Sequence, residues 1–348
     1  MRTGSTESST GCRSGRDRVL VMAPNWLGDA VMATPLLSVL RESAGGLLVD
    51  VGCRAYVSEI FRRHPDVDRM IVYDGRGSWR EAARALRRER PPRNWRSCIV
   101  LPPSFSSALA ACLAGAGRRT GFAADGRSFL LHRVLARPGR DEHLSRSFVR
   151  LAEAVTERMA GGVPRPVVVP PYDWEDRVAR RGLDRPYLVV AAGAAYGSAK
   201  RWPVERFAGV ARRAAGRGLQ VVVAGAPGER GALEAIARAG GGRNLAGEIE
   251  TADFLCVLRG AACVLGNDSG PVHLSAAMGR PTVAVFGSTS PAWTAPRGPR
   301  VRVVRADLEC SPCFRRRCPD GEPACLAAIP VDEVDEAVAA AIEEGRRA

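Results

Sequence analysis

The chain has 348 residues, of which 46% are hydrophobic, and 51 Lys+Arg against 37 Asp+Glu give it a formal net charge of +14. That length accommodates one large or two ordinary domains with a packed core, and no uncharged apolar run of ~18 or more residues reads as a transmembrane helix. Residues 1–17 are polar, rich in Gly, Ser and Thr, and lack the apolar centre of an export signal, so a disordered leader on a cytoplasmic protein is expected.

From there the pattern alternates. Arg18–Ala23 is a short apolar strand, and Gly28–Arg41 has helical spacing, with Val31, Leu36, Leu37 and Leu40 on one side. A strand over Leu47–Gly52, a helix near Ala55–Arg63, a strand over Met70–Tyr73 and a basic amphipathic helix over Ser78–Glu89 follow. Next come a strand over Cys98–Leu101 and a helix over Ser104–Ala114. Arg127–Arg140 reads as a loop with one apolar turn, and His143–Met159 as a long helix. Gly161–Pro166 and Pro170-Pro171 break the pattern and mark a domain boundary. The alternation restarts with strands Tyr187–Ala192, Gln220–Ala224, Cys263–Gly266 and Thr282–Phe286. Helices Val204–Ala215, Glu229–Ala239, Thr251–Leu258 and Val272–Met278 lie between and after them. A helix over Val331–Glu344 closes the chain. Strand–helix alternation implies parallel sheets covered by helices. The expected organisation is a leader (1–17), two doubly wound α/β domains (18–165 and 172–330) facing across a cleft, and a terminal helix (331–348).

The positive charge favours polyanionic partners, either nucleic acid or an anionic membrane surface, with a solvated Arg-rich exterior as the alternative. Basic runs such as Arg84-Ala85-Leu86-Arg87-Arg88 and Arg315-Arg316-Arg317 are short and not interleaved with aromatics, which counts against nucleic acid. Of the ten cysteines, Cys12, Cys53, Cys98, Cys112, Cys256 and Cys263 are scattered, several of them in apolar runs, as small core residues would be. Cys310, Cys313, Cys318 and Cys325 crowd together. They offer a structural zinc site, with reduced packed thiols as the alternative, because the spacing matches no familiar finger or ribbon. Lying beyond the last expected strand, this cluster is placed away from the chemistry.

Three motifs sit just after strands, where this architecture places its sites. In Pro24-Asn25-Trp26-Leu27-Gly28-Asp29 the chain turns at Gly28 and presents Asp29 in the first turn of a helix, as a helix cap or as a general base at the cleft mouth. In Gly193–Pro203 small residues permit close backbone approach to a ligand, and Lys200 is the single lysine among 51 Lys+Arg. A compact ammonium suits one phosphate oxygen better than a planar guanidinium does. In Gly266–Ala277 the segment Asp268-Ser269-Gly270 opens a helix N-terminus, a ready anion site, with His273 one turn on and Asp268 suited to sugar hydroxyls. Neither Gly-x-Gly-x-x-Gly after the first strand nor a P-loop lysine motif is present, which disfavours dinucleotide dehydrogenases and P-loop enzymes. A phosphate site in the second domain facing a carboxylate in the first suggests a nucleotide-sugar transferase.

These motifs, with the four-cysteine cluster, carry a resemblance over Arg18 to Val338. The chain resembles the ADP-heptose:lipopolysaccharide heptosyltransferases of glycosyltransferase family 9, most of all the heptosyltransferase II branch. The resemblance implies a GT-B fold of two Rossmann-like domains and an inverting transfer that needs no metal or other cofactor. It implies Asp29 as general base, Lys200 as the charge that neutralises the ADP leaving group, and Ser269, Gly270 and His273 as pyrophosphate cradle. Asp268 is implied as a heptose contact, Glu229 as a ribose-binding acid and Tyr196 as part of the donor site. Ala195 departs from a position often acidic in this branch, and Arg127 lies in a loop without an assigned role. The implied partners are an ADP-heptose donor and a Kdo-lipid A/heptose I acceptor, met by a monomer on the cytoplasmic face of the inner membrane, with no nucleic acid. Another GT-B transferase or an epimerase, and a nucleic-acid-binding protein, stand as the alternatives.

Overall fold

The computed structural model describes residues 17–43, 46–74, 78–91 and 94–347. The expected leader, Asp17 apart, lies outside them, as does Cys12. The alternating pattern becomes two six-stranded parallel sheets. The first contains β1 (Arg18–Met22), β2 (Leu48–Arg54), β3 (Arg69–Tyr73), β4 (Ser97–Val100), β5 (Arg118–Phe122) and β6 (Arg133–Leu135), in the order β3-β2-β1-β4-β5-β6. The second contains β7 (Tyr187–Ala191), β8 (Gln220–Val223), β9 (Arg243–Asn244), β10 (Cys263–Asn267), β11 (Thr282–Phe286) and β12 (Val301–Arg305), in the order β12-β11-β10-β7-β8-β9. Strand order reverses between β1 and β4 and again between β7 and β10. At such switch points the loops leaving the strands splay apart and open a crevice.

The central strands are apolar on both faces, as sheets covered on both sides require. Helices Leu27–Glu42, Ala55–Arg62 and Leu144–Thr156 lie over one face of the first sheet. Helices Trp79–Arg88 and Phe105–Leu113 bury Leu20, Met22, Ile71, Cys98 and Val100 on the other. On the second sheet, helices Val204–Gly216, Arg230–Ala239 and Val331–Arg346 cover one face. The opposite face carries Thr251–Gly260 and Gly270–Ala277. Its core is continuous with that of the first sheet, since Leu36, Leu40 and Phe148 share one apolar cluster with Leu255, Leu258 and Leu274.

The expected loop over Arg127–Arg140 is a correction. It holds a 3-10 turn, Ser128–Leu130, and the edge strand β6, which pairs in parallel with β5 through Thr120 and Arg133. Both strands are short and carry arginines, so they lack an apolar signature. The helix expected to reach Met159 ends at Thr156, where Glu157 adopts a left-handed φ of 56°. Arg127 now has a role. It is 0% exposed, and its guanidinium donates to the carbonyls of Pro102, Val100 (3.3 Å) and Phe122 (3.1 Å), knitting β4, β5 and their loops together. Burial holds its pKa down at about 10. Among the described residues no helix is long and apolar enough to cross a membrane.

Candidate active site

Three loops meet at the crevice, one each from the ends of β1, β7 and β10. The first leads into helix Leu27–Glu42, whose cap position is Trp26. Asp29 lies in the first turn, where the helix dipole favours a carboxylate. It makes no side-chain capping bond, and among the described residues none donates a hydrogen bond to its carboxylate. The group is only partly shielded from solvent, yet crowded by protein. Burial pushes its pKa from 3.8 up to about 6, and the positive fields of His273 and Lys200 restrain the rise. A carboxylate left without a partner and titrating near neutrality is suited to accept a proton.

Across the crevice stands a compact ionic cluster. The Lys200 Nζ donates to Asp268 Oδ2 at 2.6 Å and lies 4.9 Å from the centre of the Tyr196 ring. Thr289 Oγ1 donates to the same Oδ2 at 2.6 Å, and Thr294 Oγ1 lies 3.4 Å from it. His273 Nε2 sits 3.7 Å from Asp268 Oδ1. Burial alone would raise the Asp268 carboxyl, but the His273 ring and the Lys200 ammonium outweigh it and hold the group at about 2. Asp268 is therefore a fixed anion that positions Lys200 and His273, and its Oδ2 is already shared among protein donors.

Beside it, helix Gly270–Ala277 starts at Ser269, whose hydroxyl bonds back to the Asn267 carbonyl at 3.2 Å instead of capping the helix. The N–H groups at this end receive no side-chain cap from Ser269, as at helix ends that bind anions. Asn267 holds the frame: its Nδ2 donates to Ala192 O (2.6 Å) and its Oδ1 accepts from Trp202 N (3.0 Å). Two glycines allow the halves to approach. A Cβ on Gly28 would come within 3.0 Å of His273 Cδ2, and one on Gly270 within 2.7 Å of the Leu27 Cβ.

Glu229 reaches the β7 loop, accepting from Ala194 N (3.1 Å) and, in its own turn, from Ala226 N (3.0 Å). A Cβ on Gly193 would collide with this carboxylate. Its oxygens tie the β7 and β8 loops together.

One expectation fails. The cysteine segment follows β12, but it folds back over the site. Tyr196 OH donates to Phe314 O (2.8 Å), Ala199 N donates to Arg316 O (3.1 Å), and the Arg316 guanidinium lies 5.2 Å from the Tyr196 ring centre. The Arg140 guanidinium, from the first half, lies 4.1 Å from the Phe314 ring centre. The four thiols differ in exposure, and Cys325 lies within electrostatic reach of Cys310 and Cys313. Cys310 and Cys313 are exposed, Cys318 is half-buried and Cys325 is buried. Among the described residues no three His, Cys, Asp or Glu side chains converge as a metal site would require. Thr289 and Thr294 were missed by sequence reasoning. They follow β11, and their strand-end position was the available signal.

The region matching the model of glycosyltransferase family 9 (heptosyltransferase) is residues 79–323. Lipopolysaccharide heptosyltransferase 2 of Salmonella typhimurium is 30% identical over 311 residues, covering 83% of this chain and 88% of the relative. The solved structure of Escherichia coli ADP-heptose lps heptosyltransferase II superposes with a TM-score of 0.81 at 27% identity, over 94% of this chain and 99% of that one. Heptosyltransferase WaaC of Escherichia coli with ADP shares the fold, with a TM-score of 0.71 at 20% identity over 93% and 99% of the two chains. With its paired parallel sheets, its crevice and its matched span, this chain belongs to glycosyltransferase family 9, the heptosyltransferases.

Proposed function

We propose that the protein transfers heptose from an ADP-heptose donor to a hydroxyl of the lipopolysaccharide inner core, on heptose I, with inversion at the anomeric carbon. The observation that carries this reading is the unpartnered Asp29 carboxylate, raised to about 6, facing the Lys200, Asp268 and His273 cluster. Asp29 takes the proton from the acceptor hydroxyl as its oxygen attacks the anomeric carbon. The bond from that carbon to the diphosphate oxygen breaks, and its electron pair leaves with ADP. A single in-line displacement inverts the centre.

Charge building on the diphosphate is met by Lys200 and by the open end of helix Gly270–Ala277. Positioned charge of this kind is worth on the order of 10²-fold or more in rate. Glu229 and Tyr196 hold the nucleoside side of the donor, and Asp268 keeps Lys200 and His273 in place. The net charge of +14 suits an acceptor bearing phosphates and carboxylates at the cytoplasmic face of the inner membrane.

The test is incubation of the protein with ADP-heptose and a deacylated core oligosaccharide ending in heptose I. ADP release with a new glycoside of inverted configuration is expected. Release of ADP without an acceptor product, or transfer only from a UDP-sugar, would overturn the donor or acceptor assignment.

A further inference from the structure

Helix Phe105–Leu113 contains no charged residue, although one side of it faces outward. Its inner side packs Ala108, Ala110 and Ala111 on the first sheet. Its outer side presents Phe105, Leu109, Cys112 and Leu113, which recur at helical spacing as one apolar stripe. Phe105 is 37% exposed and Leu113 48%, and Phe129, at 77%, extends the stripe with its ring 5.9 Å from that of Phe105. Clustered apolar exposure of this kind marks a binding face.

The neighbouring helix Trp79–Arg88 covers the same side of the sheet and is its chemical opposite. It buries Ala82, Ala83 and Leu86 and points Arg80, Arg84, Arg87 and Arg88 outward. The acidic groups of this face are Asp74, whose N–H donates to Glu81 Oε1 at 3.2 Å, Glu81 itself, Glu89, which pairs with Arg88 at 3.4 Å, and Asp125, whose carboxylate accepts from Phe105 N at 2.7 Å. Between the amino ends of the two helices lies a polar pocket. Asn25, Arg54, Trp79, Ser104 and Ser107 line it, and Asn25 belongs to the loop that presents Asp29.

We infer that this two-helix face docks on an anionic bilayer. The Phe105–Leu113 stripe and Phe129 enter the interfacial layer, and Arg84, Arg87 and Arg88 rest on lipid phosphates. An apolar stripe alone fits many partners; a row of cations alongside it fits a surface that is apolar below and anionic above. Seated this way, the pocket opens towards sugars carried by a lipid in the same bilayer. The inference thus rests on the proposed lipid-borne acceptor and adds the surface that meets it.

Flotation with phosphatidylcholine vesicles, with and without phosphatidylglycerol, tests the idea in the full-length protein. Wild type is expected to bind the phosphatidylglycerol vesicles at least ~10-fold more tightly than phosphatidylcholine alone, and to release them at high salt. Replacing Arg84, Arg87 and Arg88 together by Gln should weaken binding to the anionic vesicles by on the order of 10²-fold. Replacing Phe105, Leu113 and Phe129 by Ser should weaken binding to both compositions. Both triple variants should retain wild-type turnover on the deacylated acceptor, which shows that they fold and separates this test from that of the activity. Failure of wild type to float with anionic vesicles, or flotation unchanged in either variant, overturns the inference. So does a dimer, seen by sedimentation velocity, that the Ser variant dissolves without loss of vesicle binding, because the face would then be a self-interface.

Discussion

Replacing Asp29 by Asn separates catalysis from stability in opposite directions. The carboxylate is held near its neutral point by burial, with no hydrogen bond to offset the desolvation. A carboxyl that titrates at about 6 in the fold and at 3.8 in the unfolded chain is destabilised by about 3 kcal/mol once ionised. The sign follows from the proton balance. Between these two values the folded state binds the proton more tightly, so wild-type stability falls as pH rises from about 4 through 6 and is level above. Asn keeps the shape and does not titrate. The variant should therefore match wild type near pH 4 and exceed it by up to about 3 kcal/mol at pH 7 and above. Turnover should meanwhile fall by ~10²-fold or more, with ADP affinity nearly unchanged, because only the base is removed. Urea unfolding at several pH values reads the first effect, and heptose transfer under saturating substrates reads the second. An Asn variant that turns over at the wild-type rate removes Asp29 from the chemistry. One less stable than wild type at pH 7 shows that the carboxylate anchors structure.

Lys200→Ala should lower both ADP affinity, by titration calorimetry, and turnover, with turnover falling further because the charge matters more as the bond breaks. Lys200→Arg should rescue only part, since the guanidinium is bulkier and spreads its charge, and full activity in this variant would show that the ammonium has no special part. Gly28→Ala forces the His273 ring, 3.0 Å from the new Cβ, to shift. It should cost ~1–3 kcal/mol of stability and most of the turnover, and an unchanged transfer rate would mean that the His273 position is irrelevant. Arg127→Met strips donors from the Val100, Pro102 and Phe122 carbonyls. It should destabilise by roughly 3 kcal/mol in urea, with Arg127→Lys intermediate; a loss below ~0.5 kcal/mol would refute the clamp.

Most of the architecture was legible because buried parallel strands are short apolar runs and their covering helices repeat at helical spacing. The strand-end motifs around Asp29, Lys200 and Asp268 stood out for the same reason, since a strand and a helix bracket each of them. What escaped detection lacked local patterning. β5 and β6 carry arginines and one glycine in place of an apolar run, β9 spans only Arg243–Asn244, and β12 sets arginines among its valines. Arg127 looked like a loop residue, since nothing nearby announces a guanidinium buried among carbonyls. The return of Phe314 and Arg316 onto Tyr196 joins positions 118 residues apart in the first case, and spacing cannot encode such a contact. The four cysteines left reduced thiols and a structural zinc site both open, because their spacing matches no familiar finger or ribbon.

The helix that carries Asp29 and the helix that carries His273 pack against each other, with their amino ends spaced by the absent side chains of Gly28 and Gly270. Behind them runs one continuous apolar cluster, from Leu36 to Leu274. The gap between Asp29 and the Lys200, Asp268 and His273 cluster is thus a machined clearance, set by packing that lies behind the crevice. The two halves are also no longer interchangeable parts. A chimera assembled from two relatives at the linker would join cores that were never fitted to each other, and the counterpart of Asp29 would be out of register with that of the Lys200 cluster although every one of these residues was present.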